Sequence, residues 1–138
     1  MSESSTHADL VQAVIAFARG ELGAVADIAV RDDSVRPLRG ERPPRIGGYV
    51  PDVLATTVPT TATLIGEAKT RSDLETERSA RQISAFLRYL ADTPNGIFVL
   101  AVPLAAMATA RRIVQQGQST LGGKSVRSFV IDGSQARL

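Results

Sequence analysis

Residues 49–70 read YVPDVLATTVPTTATLIGEAKT, and the charges set into this apolar stretch decide how the chain is built. Tyr49 to Ala55 and Thr63 to Lys69 read as two strands joined by a Thr/Pro-rich connection. Side chains alternate across a strand, so Ile65, Glu67 and Lys69 share one face while Leu64, Gly66 and Ala68 share the other. The small pair Gly66 and Ala68 lets a helix approach their face closely. Pro51 has no N–H for a ladder, which places Asp52 at a strand start, an edge or a bulge. If the two strands pair antiparallel, the start of the first lies beside the end of the second. Asp52 then meets Glu67, with Lys69 next to them.

The flanks supply an α/β frame. Thr6-His-Ala-Asp9 has the form of a helix cap with an acid three residues on, and Leu10, Val14, Phe17 and Ala18 follow at helical spacing, as do Val11, Ile15, Ala18 and Leu22. This predicts a tail over residues 1–6, a helix from about residue 7 to 22, and a single domain over 7–138. Val25 to Arg31 reads as a strand, followed by the polar loop DDSVRPLRGERPPRIGG. Ser72-Asp-Leu-Glu75 reads as a capping box for a helix whose Ile83, Phe86, Leu87 and Leu90 form a buried face. Thr93-Pro-Asn-Gly96 stops that helix. IFVLAV, residues 97–102, is apolar throughout, as expected of a central strand covered on both faces. Pro103 opens a helix to about Gln116, and Val126 to Ile131 is a last strand. The expected order, α-β-β-β-α-β-α-β, is a mixed sheet flanked by helices.

Composition removes several function classes. The chain has 138 residues, 43% hydrophobic and 22% charged, which is enough apolar material for one core. Cysteine is absent, so thiol catalysis and Cys-based zinc sites are excluded. The single histidine, His7, falls in the polar leader, which argues against a His-activated nucleophile. No stretch is apolar enough to span a membrane, and MSESSTHADL lacks the parts of a secretory signal. The expectation is a cytoplasmic protein with no membrane partner. Net charge is +2, with fourteen Arg against two Lys. Arg is the better bidentate phosphate reader, and the same bias follows from a GC-rich genome.

Two carboxylates and a lysine in one place suit a hard divalent cation, Mg²⁺ or Mn²⁺, beside a phosphate. The backbone carbonyl of Ala68 can add a ligand. Pro51-Asp52, fourteen intervening residues and Glu67-Ala68-Lys69 resemble the PD-(D/E)xK signature of a nuclease superfamily. That superfamily includes many restriction endonucleases, archaeal Holliday-junction resolvases and small VRR-type nuclease domains. The resemblance covers about Leu10 to Val102 and implies an αβββαβ restriction-endonuclease-like core, here extended by a C-terminal helix and strand. It implies that Asp52 and Glu67 are metal ligands and that Lys69 is the catalytic lysine. Many members carry an acid on the first helix; Asp9 and Glu21 are candidates, and Gln12 can fill the place without charge. Some carry a Gln on the helix after the lysine strand with a Tyr four residues on. Gln82 matches the first, but position 86 is Phe and the tyrosine is Tyr89.

An ExK tripeptide alone carries no weight; the order of elements and the proline before Asp52 supply it. The competing reading of Glu67 and Lys69 is a surface ion pair at a strand end, which contributes little. Arg36, Arg39, Arg42 and Arg45 recur every third residue among prolines, so a polyproline II segment would line them along one basic edge. That edge, with Arg71 near the site, is a candidate nucleic-acid contact, against the alternative of a solvated loop.

The expected function is metal-dependent hydrolysis of DNA, with RNA the weaker option. The small size implies structure-directed or weakly sequence-specific action, or a partner protein that supplies specificity. Cutting both strands would suit a homodimer with two sites. The alternatives are a catalytically inactive nuclease-fold module that binds nucleic acid or a protein, and a small α/β interaction domain.

Overall fold

The computed structural model describes residues 4–24, 26–33 and 41–134. Within them α1 (Ser4–Leu22) is followed by β1 (Asp27–Asp32), β2 (Val53–Val58) and β3 (Thr63–Ala68). Then come α2 (Arg71–Leu74), α3 (Glu77–Ala91), β4 (Gly96–Ala101), a 3₁₀ turn (Leu104–Ala106), α4 (Met107–Gln118) and β5 (Arg127–Ile131). The strands form one mixed sheet in the order β1-β2-β3-β4-β5. The β1–β2 and β2–β3 pairs are antiparallel, and β3–β4 and β4–β5 are parallel. Parallel neighbours need crossover connections, and α3 and α4 supply them. The fold is therefore α/β, a single five-stranded sheet flanked by helices, as the pattern of apolar runs predicts.

Each face of the sheet has its own core. Leu64, Ala68, Val53, Ala55, Val99 and Ala101 pack with α1 residues such as Val14 and Ala18. Ile65, Phe98 and Leu100 pack with Ile83, Phe86 and Leu87 of α3 and Ala110 of α4. β3, the middle strand, is buried along its whole length. The expected alternation along it is the observed one: Leu64 and Ala68 face α1, and Ile65 faces α3.

Several boundaries differ from expectation. α1 starts at Ser4, within the stretch expected as a tail, so Thr6 lies in the helix and does not cap it. β2 starts at Val53, because Tyr49 is tied into a tight turn with Ile46. Ile46 and Tyr49 exchange N–H···O bonds of 2.7 and 3.0 Å around Gly47 and Gly48. Both glycines have positive φ, +60° and +91°, a region that side chains with a Cβ disfavour. The helix after β3 is split in two. Thr70, not Ser72, caps α2 by accepting the Asp73 N–H, and Thr76 caps α3 by accepting the Ser79 N–H.

Gly66 explains how α1 sits so close to the sheet. A Cβ at this position would lie 2.1 Å from Val14 Cγ1. Gly66→Ala is expected to destabilise the protein by about 1–3 kcal/mol through overpacking. Val14→Ala placed in the same chain should recover part of that loss, so the double variant is less unstable than the sum of the singles. Urea unfolding of the four proteins measures this coupling, and simple additivity would contradict the close approach.

Candidate active site

The β2–β3 register pairs Val53 with Gly66, and the next pair outward is Asp52 with Glu67. Two crossed hydrogen bonds hold that pair. The Asp52 N–H donates to Glu67 Oε2 at 2.8 Å, and the Ala68 N–H donates to Asp52 Oδ2 at 2.8 Å. Each carboxylate is thus oriented by a backbone amide of the opposite segment, which leaves Asp52 Oδ1 and Glu67 Oε1 without a backbone donor among the described residues. The N–H and C=O of one strand residue point to the same edge, so the Ala68 carbonyl also points to the β2 side of β3.

Lys69 follows directly after β3. Its N–H is anchored to the Ala101 carbonyl of β4 at 3.0 Å. Its Nζ lies 3.5 Å from Glu67 Oε1 and donates to Gln82 Oε1 at 2.5 Å. Gln82 is buried on the inner face of α3, so this helix sets the position of the lysine head group. The reading of Glu67 and Lys69 as a surface ion pair is corrected: the Glu67 side chain is 2% exposed and that of Lys69 12%.

Burial is the main reason that the Glu67 carboxyl is pushed up to about 8, and the Asp52 charge adds to it. Lys69 and the hydrogen bond from the Asp52 amide pull the other way and do not compensate. Glu67 therefore holds a proton near neutral pH in the absence of a cation.

A further group reaches the site from α1. His7 Nε2 lies 3.7 Å from Asp52 Oδ2. The assignment of His7 to a polar leader is thus corrected, because the helix already starts at Ser4. His7, Leu10, Val11 and Val14 lie at i, i+3, i+4 and i+7, a spacing that places the histidine on the sheet-facing stripe.

The other expected residues fall as follows. Glu21 is not at the site. It lies fourteen residues beyond His7 on α1, about 21 Å along the helix, and binds Arg127 of β5 at 2.8 Å. Asp9 and Gln12 are exposed. Arg71 is exposed at the start of α2, two residues beyond Lys69. Arg42 pairs with Asp33 at 3.1 Å, and Arg45 donates to the Gly48 carbonyl at 2.9 Å. Arg36 and Arg39 lie outside the described residues, so the four-arginine edge is not traced.

The donor set fits a sparsely ligated, hydrated cation. Among the described residues no group of three or more His, Asp or Glu side chains is placed to hold a metal ion. Two carboxylates and one carbonyl suit Mg²⁺, which keeps several of its waters. A zinc-type cage has no counterpart here.

Comparison with protein-family models, with characterised proteins and with solved structures finds no match to this chain. Among the described residues no helix is long and apolar enough to cross a membrane.

The raised Glu67 carboxyl sets a pH dependence for the metal-free protein. An ordinary glutamate loses its proton near about 4.3, so the unfolded chain is deprotonated where the folded one is not. The stabilisation from this difference is full below that value and is lost as pH rises through about 8. In EDTA the thermal midpoint should fall between pH 5 and pH 9, and Glu67→Gln should flatten the slope. Parallel pH profiles for the two proteins would contradict the raised carboxyl.

Proposed function

We propose that the chain is a divalent-cation-dependent phosphodiester hydrolase acting on DNA, with the site arrangement of PD-(D/E)xK nucleases. The observation that supports it most is the meeting of Asp52, Glu67 and Lys69 at the end of β3, with both carboxylates locked by backbone amides. Such fixed geometry is what positioning for phosphoryl chemistry requires.

Asp52 and Glu67 would hold the cation through Asp52 Oδ1 and Glu67 Oε1, with the Ala68 carbonyl as a further donor. The bound cation would neutralise the two acids, acidify a coordinated water and polarise the phosphoryl group. Lys69 Nζ, steadied by Gln82, lies beside the same carboxylate and can orient the attacking water or offset charge on the phosphoryl oxygens. His7 of α1 lies 3.7 Å from Asp52 Oδ2 and places an imidazole beside that carboxylate.

One observation favours the second reading, a catalytically inactive module that binds nucleic acid or a protein. Lys69 Nζ is already engaged by both Glu67 and Gln82, which is how a purely structural lysine is also satisfied.

Incubation with branched, single-stranded and duplex DNA and with RNA, in Mg²⁺, Mn²⁺ or EDTA, separates the two. Metal-dependent cleavage of DNA is expected, with a loss of about 100-fold or more in Lys69→Ala and Asp52→Ala variants that still melt cooperatively. DNA binding with no cleavage under any metal would support the inactive module. Cleavage that survives both substitutions would place the chemistry elsewhere.

A further inference from the structure

We infer that a trough beside the site, between the Ile46–Tyr49 turn and α3, is the track for the phosphodiester strand as it leaves the scissile position. The inference rests on the proposed function for the identity of the polymer. The trough is open, has a volume of about 430 Å³, and is lined by Gly47, Tyr49, Arg81, Ser84 and Arg88 among others. Both walls belong to segments that also carry site residues. Tyr49 is three residues before Asp52, and α3 carries Gln82, which holds Lys69.

The turn lies against the helix because Gly47 permits it. A Cβ there would come within 3.0 Å of Ala85 Cβ, and the backbone φ of +60° disfavours any other residue. This contact sets the width of the trough.

Arg81 and Arg88 of α3 line the trough, and Arg78 lies on the same side of the helix beside Tyr49. Arg78, Arg81 and Arg88 lie at i, i+3 and i+10, within one arc of the helix and over about 15 Å of its length. The Arg78 guanidinium is held 5.4 Å above the Tyr49 ring, so among the described residues an aromatic face and not a carboxylate fixes it. Tyr49 is in turn set edge-on to Phe86 of the core, 6.4 Å between centroids. Arg81 lies 3.6 Å from Glu77, but both side chains are largely exposed and such an i,i+4 pair holds weakly. Among the described residues Arg88 has no carboxylate partner. Three arginines along one arc of α3, one of them weakly paired with Glu77, match a polymer with one negative charge per unit. With Arg78 stacked on Tyr49, the ring is covered by its own protein and does not serve as a platform for a base. The track reads the backbone of the strand, not its sequence.

The test is fluorescence anisotropy with labelled single-stranded and duplex DNA in EDTA, which stops hydrolysis, over a range of salt. The proteins are wild type, the double variant Arg81→Ala/Arg88→Ala, and the control Arg111→Ala/Arg112→Ala on α4. The trough double should bind about 10-fold or more weakly and lower the salt slope by about 2, while the control behaves as wild type. Equal binding by wild type and the trough double, an equal loss in the control, or no binding by wild type would overturn the track. A polyglutamate peptide that competes as well as DNA would overturn its assignment to a phosphodiester. Cleavage with binding unchanged in the trough double removes the track and leaves the proposed function. Arginine-dependent binding without cleavage in any metal removes the function and leaves the track.

Discussion

Asp52 and Glu67 are held by each other's strands: the amide of Asp52 binds the Glu67 carboxylate, and the amide of Ala68 binds the Asp52 carboxylate. This crossed pair exists only in one register of β2 on β3. A slip of one residue would turn Glu67 and Lys69 toward α1 and Gly66 toward α3. The close approach of Val14 to Gly66 would be lost in the same movement. The site and the packing of the first helix are thus two consequences of one register, and neither can be changed without the other.

The arrangement carries an electrostatic cost. A buried carboxylate beside a second carboxylate is unfavourable in a low-dielectric interior, and Glu67 responds by keeping its proton to about pH 8. Lys69 and two backbone amides offset part of that cost. The rest is carried by the apolar cores on both faces of the sheet, in which β3 is buried from end to end. Functional sites commonly hold groups in environments that stability alone would not select. The trough along α3 extends the same logic outward, since Arg78 is held over the Tyr49 ring.

Much of this was legible in the residues. The alternation Leu64-Ile65-Gly66-Glu67-Ala68 separates the two faces of β3 because the strand period is two. Pro51 marks where the ladder must begin, and the stripe Ile83, Phe86, Leu87 and Leu90 marks the buried side of α3. What was hidden depended on competition between local signals or on tertiary contact. Ser72 and Thr76 are both good caps, and only the 3.1 Å bond from the Ser79 amide shows that Thr76 starts α3. Glu21 shares a helix face with core residues, yet its distance from the site along α1 follows only once His7 is seen beside Asp52. The contact between Tyr49 and Arg78 joins segments 29 residues apart and has no signature in either.

Mn²⁺ diffused into crystals of the protein and located by its anomalous scattering tests most directly whether Asp52 and Glu67 hold one cation, as proposed above. The expected result is a peak in coordination contact with one oxygen of Asp52 and one of Glu67, absent in Asp52→Ala. Crystals that show no peak at these carboxylates in millimolar Mn²⁺, or a peak only at other residues, would contradict it.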